Sequence, residues 1–125
     1  MKITAFSKLL TMPILGLALA LSSGWSALAA AGETVEVTVN AKQGFKFEPS
    51  SVEVPRGARV TLTFENTGLM AHNLKIPELD AGTGTIGADK SEVITLSVDE
   101  KGSYEFICDV PGHAEAGMTG TFKVQ

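Results

Sequence analysis

Cysteine is the scarcest chemically useful residue in this 125-residue chain: there is one. A single Cys forms no internal disulfide framework, and it excludes every zinc site built on two or more cysteines. Histidine is almost as scarce, with two. Basic residues number 10 against 14 acidic ones, a formal net charge of −4. That balance argues against a nucleic-acid binder, which needs a basic patch. The chain is too short for a two-domain dinucleotide-binding enzyme or a (β/α)-barrel, and it fits one domain. With 19% charged and 44% apolar residues it is neither a disordered acidic tail nor a protein of many membrane spans. Internal repeats, low-complexity tracts and convincing helical periodicity are also missing.

What is present begins with a leader. Lys2 and Lys8 give a basic start, and Leu9 to Leu21 is uncharged and strongly apolar. Small residues follow, and Ala27-Leu28-Ala29 matches the A-x-A cleavage pattern of a secretory signal peptide. The competing reading is an uncleaved membrane anchor, because residues 9–32 carry no charge. Ser22, Ser23, Gly24 and Ser26 weaken that stretch, so the expectation is a signal peptide over 1–29. No twin arginine is present, which points to general secretion and a periplasmic or otherwise exported protein. The mature chain is then 30–125, 96 residues with no stable membrane insertion. Lys2 and Lys8 leave with the leader, so its formal charge moves from −4 to −6.

The mature part reads as all-β. Val35, Val37 and Val39 alternate with polar residues, the pattern of a half-buried strand. Phe45 and Phe47 alternate again before Pro49, and Val52 and Val54 precede the Pro55-Arg56-Gly57 turn. Val60, Leu62 and Phe64 form the next strand, ended by Asn66-Thr67-Gly68; Leu74 and Ile76 follow. Residues 77–90 have no useful period and read as a loop crossing between sheets, with a short helical turn near Pro77. Val93 to Val98 resumes as a strand, and Asp99 to Gly102 reads as a hairpin turn. Tyr104, Phe106 and Cys108 then share one face, and Met118 to Val124 closes the chain. Seven or eight short strands at this spacing predict a Greek-key β-sandwich.

The rare residues form a spacing. His72 precedes Cys108, His113 and Met118, the last three in the order C-x4-H-x4-M. Those three lie in or beside one loop between two strands, where a thiolate and an imidazole can converge on one ion. Gly112 and Gly117 let the loop fold back, and His72 would pin it from a distant strand end. Two imidazoles, a thiolate and a thioether suit copper; zinc is the nearest rival, but it seldom takes a thioether. An unpaired Cys in an exported protein also asks for a reason.

These residues resemble the cupredoxin family of type 1 blue copper proteins, the plastocyanin and azurin group. The resemblance covers the whole of 30–125, the expected cupredoxin domain. It rests on Phe45, Phe47 and Pro49, the Val60 to Asn66 strand, His72-Asn73, and the Tyr104 to Met118 strand and loop. The ligand-loop spacing is most similar to rusticyanin and auracyanin. The resemblance implies one copper ion cycling between Cu(I) and Cu(II). His72 and His113 would be imidazole ligands, Cys108 the thiolate and Met118 the long axial ligand. Asn73 would tie the ligand loop to the neighbouring strand. The backbone N–H groups of Asn73 and Val110 would donate to the sulfur, and the Ala71 carbonyl would approach opposite Met118.

The expected function is single-electron transfer by a monomer, not an enzyme. Redox partner proteins, a cytochrome or a copper enzyme, would dock near His113. Leu69, Met70, Pro111, Gly112, Ala114 and Ala116 would form an apolar rim there. The alternative is a periplasmic copper-binding and delivery protein, whose site would more often use several Met. A copper enzyme would need a second site with its own histidines, and both are already used.

Overall fold

The structure is a computed structural model that describes residues 32–125. The expected signal peptide, its cleavage site and the mature start at residue 30 lie outside the described residues. Nine strands are formed: β1 (Thr34–Ala41), β2 (Phe47–Glu48), β3 (Ser51–Val54), β4 (Arg59–Asn66), β5 (Lys75–Ile76), β6 (Ala81–Gly82), β7 (Lys90–Ser97), β8 (Gly102–Ile107) and β9 (Thr119–Val124). One sheet has the order β2-β1-β4-β7 and the other β3-β9-β8-β5-β6. Both are mixed, since β1 runs parallel to β4 and β3 parallel to β9. Among the described residues no helix is long and apolar enough to cross a membrane.

Alternation explains the long strands. β4 buries Val60, Leu62, Phe64 and Asn66 and leaves the residues between them partly open. β1 turns Val35, Val37, Val39 and Ala41 toward the same interior. Phe106 of β8 and Phe122 of β9 face them from the other sheet. Phe47 joins the layers: its ring meets Phe106 at 5.1 Å and Phe64 at 6.0 Å, both edge-on. Burying each such ring contributes about 1.5–3 kcal/mol.

Two expectations need correction. Among the described residues the strands number nine: the addition is the two-residue Ala81–Gly82, too short to carry a periodic pattern and lying in the stretch 77–90 expected as loop. The segment Asp99 to Gly102 is not a hairpin turn. β7 pairs with β4 in one sheet, whereas β8 pairs with β9 and β5 in the other. The turn residues signal a reversal correctly, but turn chemistry does not say which sheet receives the next strand. The stretch 77–90 does cross between the sheets, with a 3-10 turn at Pro77–Leu79 as expected.

The start of the described residues and the C-terminal Gln125 lie at one pole, and the rare residues at the other. Glu33 and Gln125 are bonded to Arg59 and Arg56 at the start of β4. At the other pole, Thr67 and Gly68 donate to the Ala41 carbonyl just past the ends of β1 and β4. Cys108 and Met118 lie there too, at the end of β8 and the start of β9, joined by a backbone bond of 3.1 Å.

Candidate metal centre

Strand ends and one loop assemble the site. Cys108 follows the last residue of β8 on the inward face shared with Phe106, so its thiol is fully buried. Residues 111–117 form a run of turns, in which His113 N donates to Val110 O at 3.0 Å and Ala116 N to Gly112 O at 3.2 Å. Gly112 (φ 85°) and Gly117 (φ 108°) take left-handed conformations that a side chain would strain. Met118 is fully buried where β9 begins, and its N–H donates to the His113 carbonyl at 3.1 Å.

His72 comes from the far side, as its spacing predicts. It exchanges two backbone bonds with Ile86, at 3.0 and 2.9 Å. Its ring is 1% exposed. Among the described residues, His72 Nε2 is the one buried side-chain polar atom with no partner. Histidine ligands usually donate that second nitrogen to an acceptor. Here packing and the Ile86 bridge hold the ring instead.

The donor atoms converge. His72 Nδ1 and His113 Nδ1 are 3.1 Å apart, and Cys108 Sγ lies 3.5 Å from His113 Nδ1 and 3.8 Å from His72 Nδ1. A first-row metal ion bonded at about 2.0 Å to imidazole and about 2.3 Å to thiolate, with angles of about 100–120°, keeps its donors roughly 3.1–3.8 Å apart. The three observed separations fall in that range. Burial, and next the proximity of His113, push His72 below the ordinary histidine value, which favours the neutral ring, the form that can offer a lone pair to a metal.

Two asparagines brace the site, and only one of them was singled out by sequence. Asn73, buried beside His72, donates to Asp109 Oδ1 and accepts the Asp109 N–H at 2.9 Å; it also donates to Thr85 Oγ1 at 3.0 Å. Asn73 thereby links the segment after His72 to the residue after Cys108. In the sequence Asn66 marks only the end of a strand. Its fully buried amide donates to Met70 O at 2.7 Å and Ile86 O at 3.0 Å and accepts the Gly68 N–H at 3.1 Å. It thereby fixes both segments that frame His72. Its signal lay in the β4 alternation: an Asn on the apolar face must find partners.

His113 is half-buried on its loop. Leu69 is 79% exposed and Met70 40%. On the loop itself Pro111, Gly112, Glu115 and Ala116 are exposed and Ala114 is half-buried. Val110 packs against the core and Ala71 is exposed. Phe45, expected to share a strand face with Phe47, instead sets its ring against His113 at a centroid distance of 4.9 Å.

A family model described as a cupredoxin-like domain matches residues 13–120. Chloroplastic plastocyanin of Pisum sativum is 31% identical, over 87% of this chain and 70% of its own. The copper-resistant cuproprotein CopI of Rubrivivax gelatinosus is 29% identical, over 78% of this chain and 69% of its own. Among solved structures, rusticyanin from Thiobacillus ferrooxidans superposes with a TM-score of 0.62 at 30% identity, covering 75% of this chain and 79% of that one. Auracyanin from Roseiflexus castenholzii, at 24% identity, shares the fold with a TM-score of 0.66, over 75% of this chain and 99% of that one.

Proposed function

The chain belongs to the cupredoxin-like family, a blue copper protein whose cofactor is one copper ion, and on that premise we propose that it carries single electrons between redox partners. The observation that carries this reading is the convergence of two imidazole nitrogens and one buried thiol at a single point. His72, Cys108 and His113 would hold the ion in this reading, with the buried Met118 thioether as a fourth donor. Copper bound there supplies a one-electron couple and asks for no bond to be made or broken in a substrate.

The protein's part is to hold its donors still. Cys108 hangs from a strand whose neighbours are bonded on both sides, so the sulfur has little freedom. Asn73 and Asp109 clamp the start of the ligand loop, and outer contacts of this kind orient ligands and tune a metal. The backbone N–H groups of Asn73 and Val110, and the Ala71 carbonyl, are assigned the outer roles that the resemblance implies. His113 is the electron port, because its ring alone among the donors lies at the surface. The apolar rim of Leu69, Met70 and Pro111 suits brief contact with a cytochrome or a copper enzyme. A charge of −6 after removal of 1–29 speeds encounter with cationic partners at low salt. The leader directs export to the periplasm or an equivalent compartment.

Similarity to a copper-resistance cuproprotein supports a second reading, copper binding and delivery. Exchange separates the two. Added Cu(II) should give intense thiolate-to-copper absorption that Cys108→Ala abolishes. A reversible one-electron wave with slow copper loss to a chelator supports the carrier; rapid surrender of copper supports delivery. A colourless zinc protein would sink both.

A further inference from the structure

The described part of the chain buries Phe47, Phe64, Phe106 and Phe122 in the core. Phe45 is different: it is 36% exposed and contributes to no buried cluster. Its one aromatic neighbour is His113, at 4.9 Å and 68° between ring planes, an edge-on geometry that aromatic pairs prefer. The His113 ring meets His72 at the same distance, 4.9 Å and 62°. The ring is thus contacted by a buried partner ligand and by Phe45.

The chain builds this contact deliberately. β1 and β2 pair at Asn40↔Glu48 and Ala41↔Phe47, closing a short loop over residues 42–46. Lys42 and Glu48 meet across its base at 2.8 Å. Phe47 anchors one stem in the core against Phe64 and Phe106. Gly44 (φ 87°) provides the left-handed step that brings Phe45 round, a conformation costly for other residues. An apolar ring two residues from that anchor would normally be buried with it. Instead it lies edge-on to a histidine whose backbone is tied to its own loop and whose ring otherwise meets the donor atoms of His72 and Cys108.

We propose that Phe45 is a positioning residue for His113, a ring clamp that holds the imidazole in its ligand orientation whether or not the metal bond is intact. The inference rests on the assignment of His113 as a ligand. The clamp slows the outward swing of the ring through which copper would leave, and so favours retention over exchange. An edge-on aromatic contact of this strength corresponds to roughly a two- to tenfold change in such an equilibrium or rate.

The test uses the full-chain protein as wild type, Phe45→Ala, Phe45→Leu, Phe45→Trp, Phe47→Ala and His113→Gly. Copper(I) loss to a colorimetric chelator is timed, and the His113 ring signals of the metal-free protein are followed by NMR. Phe45→Ala is expected to lose copper two- to tenfold faster and to show a mobile His113 ring, Phe45→Leu to fall between, and Phe45→Trp to match wild type. Unchanged loss rates and an unchanged His113 ring in Phe45→Ala would overturn the clamp. So would a fall in metal-free melting temperature as large as that of Phe47→Ala, which would place Phe45 in the fold rather than at the ligand. If His113→Gly binds copper just as wild type does, it is the ligand assignment that fails.

Discussion

The two histidines face each other across 3.1 Å but live in different surroundings. His72 is enclosed: its backbone is bridged to Ile86, the segments before it and opposite it are fastened by Asn66, and Asn73 beside it is bonded to the ligand loop. His113 stands half-buried on a run of turns with glycines at two left-handed positions, and Pro111, Gly112 and Ala116 beside it are exposed. One side of the site is wall and the other is door. A rigid wall fixes the donor geometry, while a reachable ligand lets electrons through without opening the core.

The sharpest way to break this comparison is to remove each ring in turn. Both His72→Gly and His113→Gly should lose more copper affinity than the about 10- to 100-fold that outer contacts cost. Added imidazole should restore the intense absorption of His113→Gly, because solvent reaches that position, and should fail with His72→Gly. Equal rescue of both would show that the wall is not closed.

A smaller effect is expected from the braces. Asn66→Ala removes two bonds donated to carbonyls and one accepted from Gly68, a loss of about 2–4 kcal/mol on denaturant unfolding. Asn73→Ala releases exposed Asp109 and should cost less, about 1–2 kcal/mol. If the order is reversed, the loop side contributes more rigidity than its surroundings suggest.

The gentlest probe is pH on the metal-free protein. Burial and the neighbouring His113 hold His72 below the ordinary value of 6.5, so the unfolded chain takes up a proton first as pH falls. Stability is therefore full above pH 6.5 and declines below it, levelling only once the folded ring is protonated. The slope stays under about 1.4 kcal/mol per pH unit. Thermal melts between pH 7.5 and 5 should show it, and His72→Gln should flatten it.

Much of this was legible in the chain. Alternation placed β1, β3, β4, β8 and β9 and assigned Cys108 to the inward face. The C-x4-H-x4-M spacing identified three members of the site, and the rarity of His left His72 as the fourth. What was not legible depended on partners distant in sequence. The Asp99 to Gly102 segment looks the same whether it joins two strands of one sheet or of two. Phe45 has the alternation of a core residue, and only the turn at Gly44 sends it elsewhere. Asn66 sits at a strand end in the sequence, but its three bonds run to residues brought near by folding.

The sequence alone determined the ligand chemistry, because one thiol and two imidazoles leave a single soft, nitrogen-and-sulfur site to be made. It also determined the sandwich, because period-two burial over short strands admits few other folds. Only the tertiary structure decided which side chains hold the two histidines in place: the Asn66 bonds around His72 and the Phe45 ring against His113. Exposure and hydrogen-bond partnership depend on strands separated by tens of residues, and local pattern carries no record of those meetings.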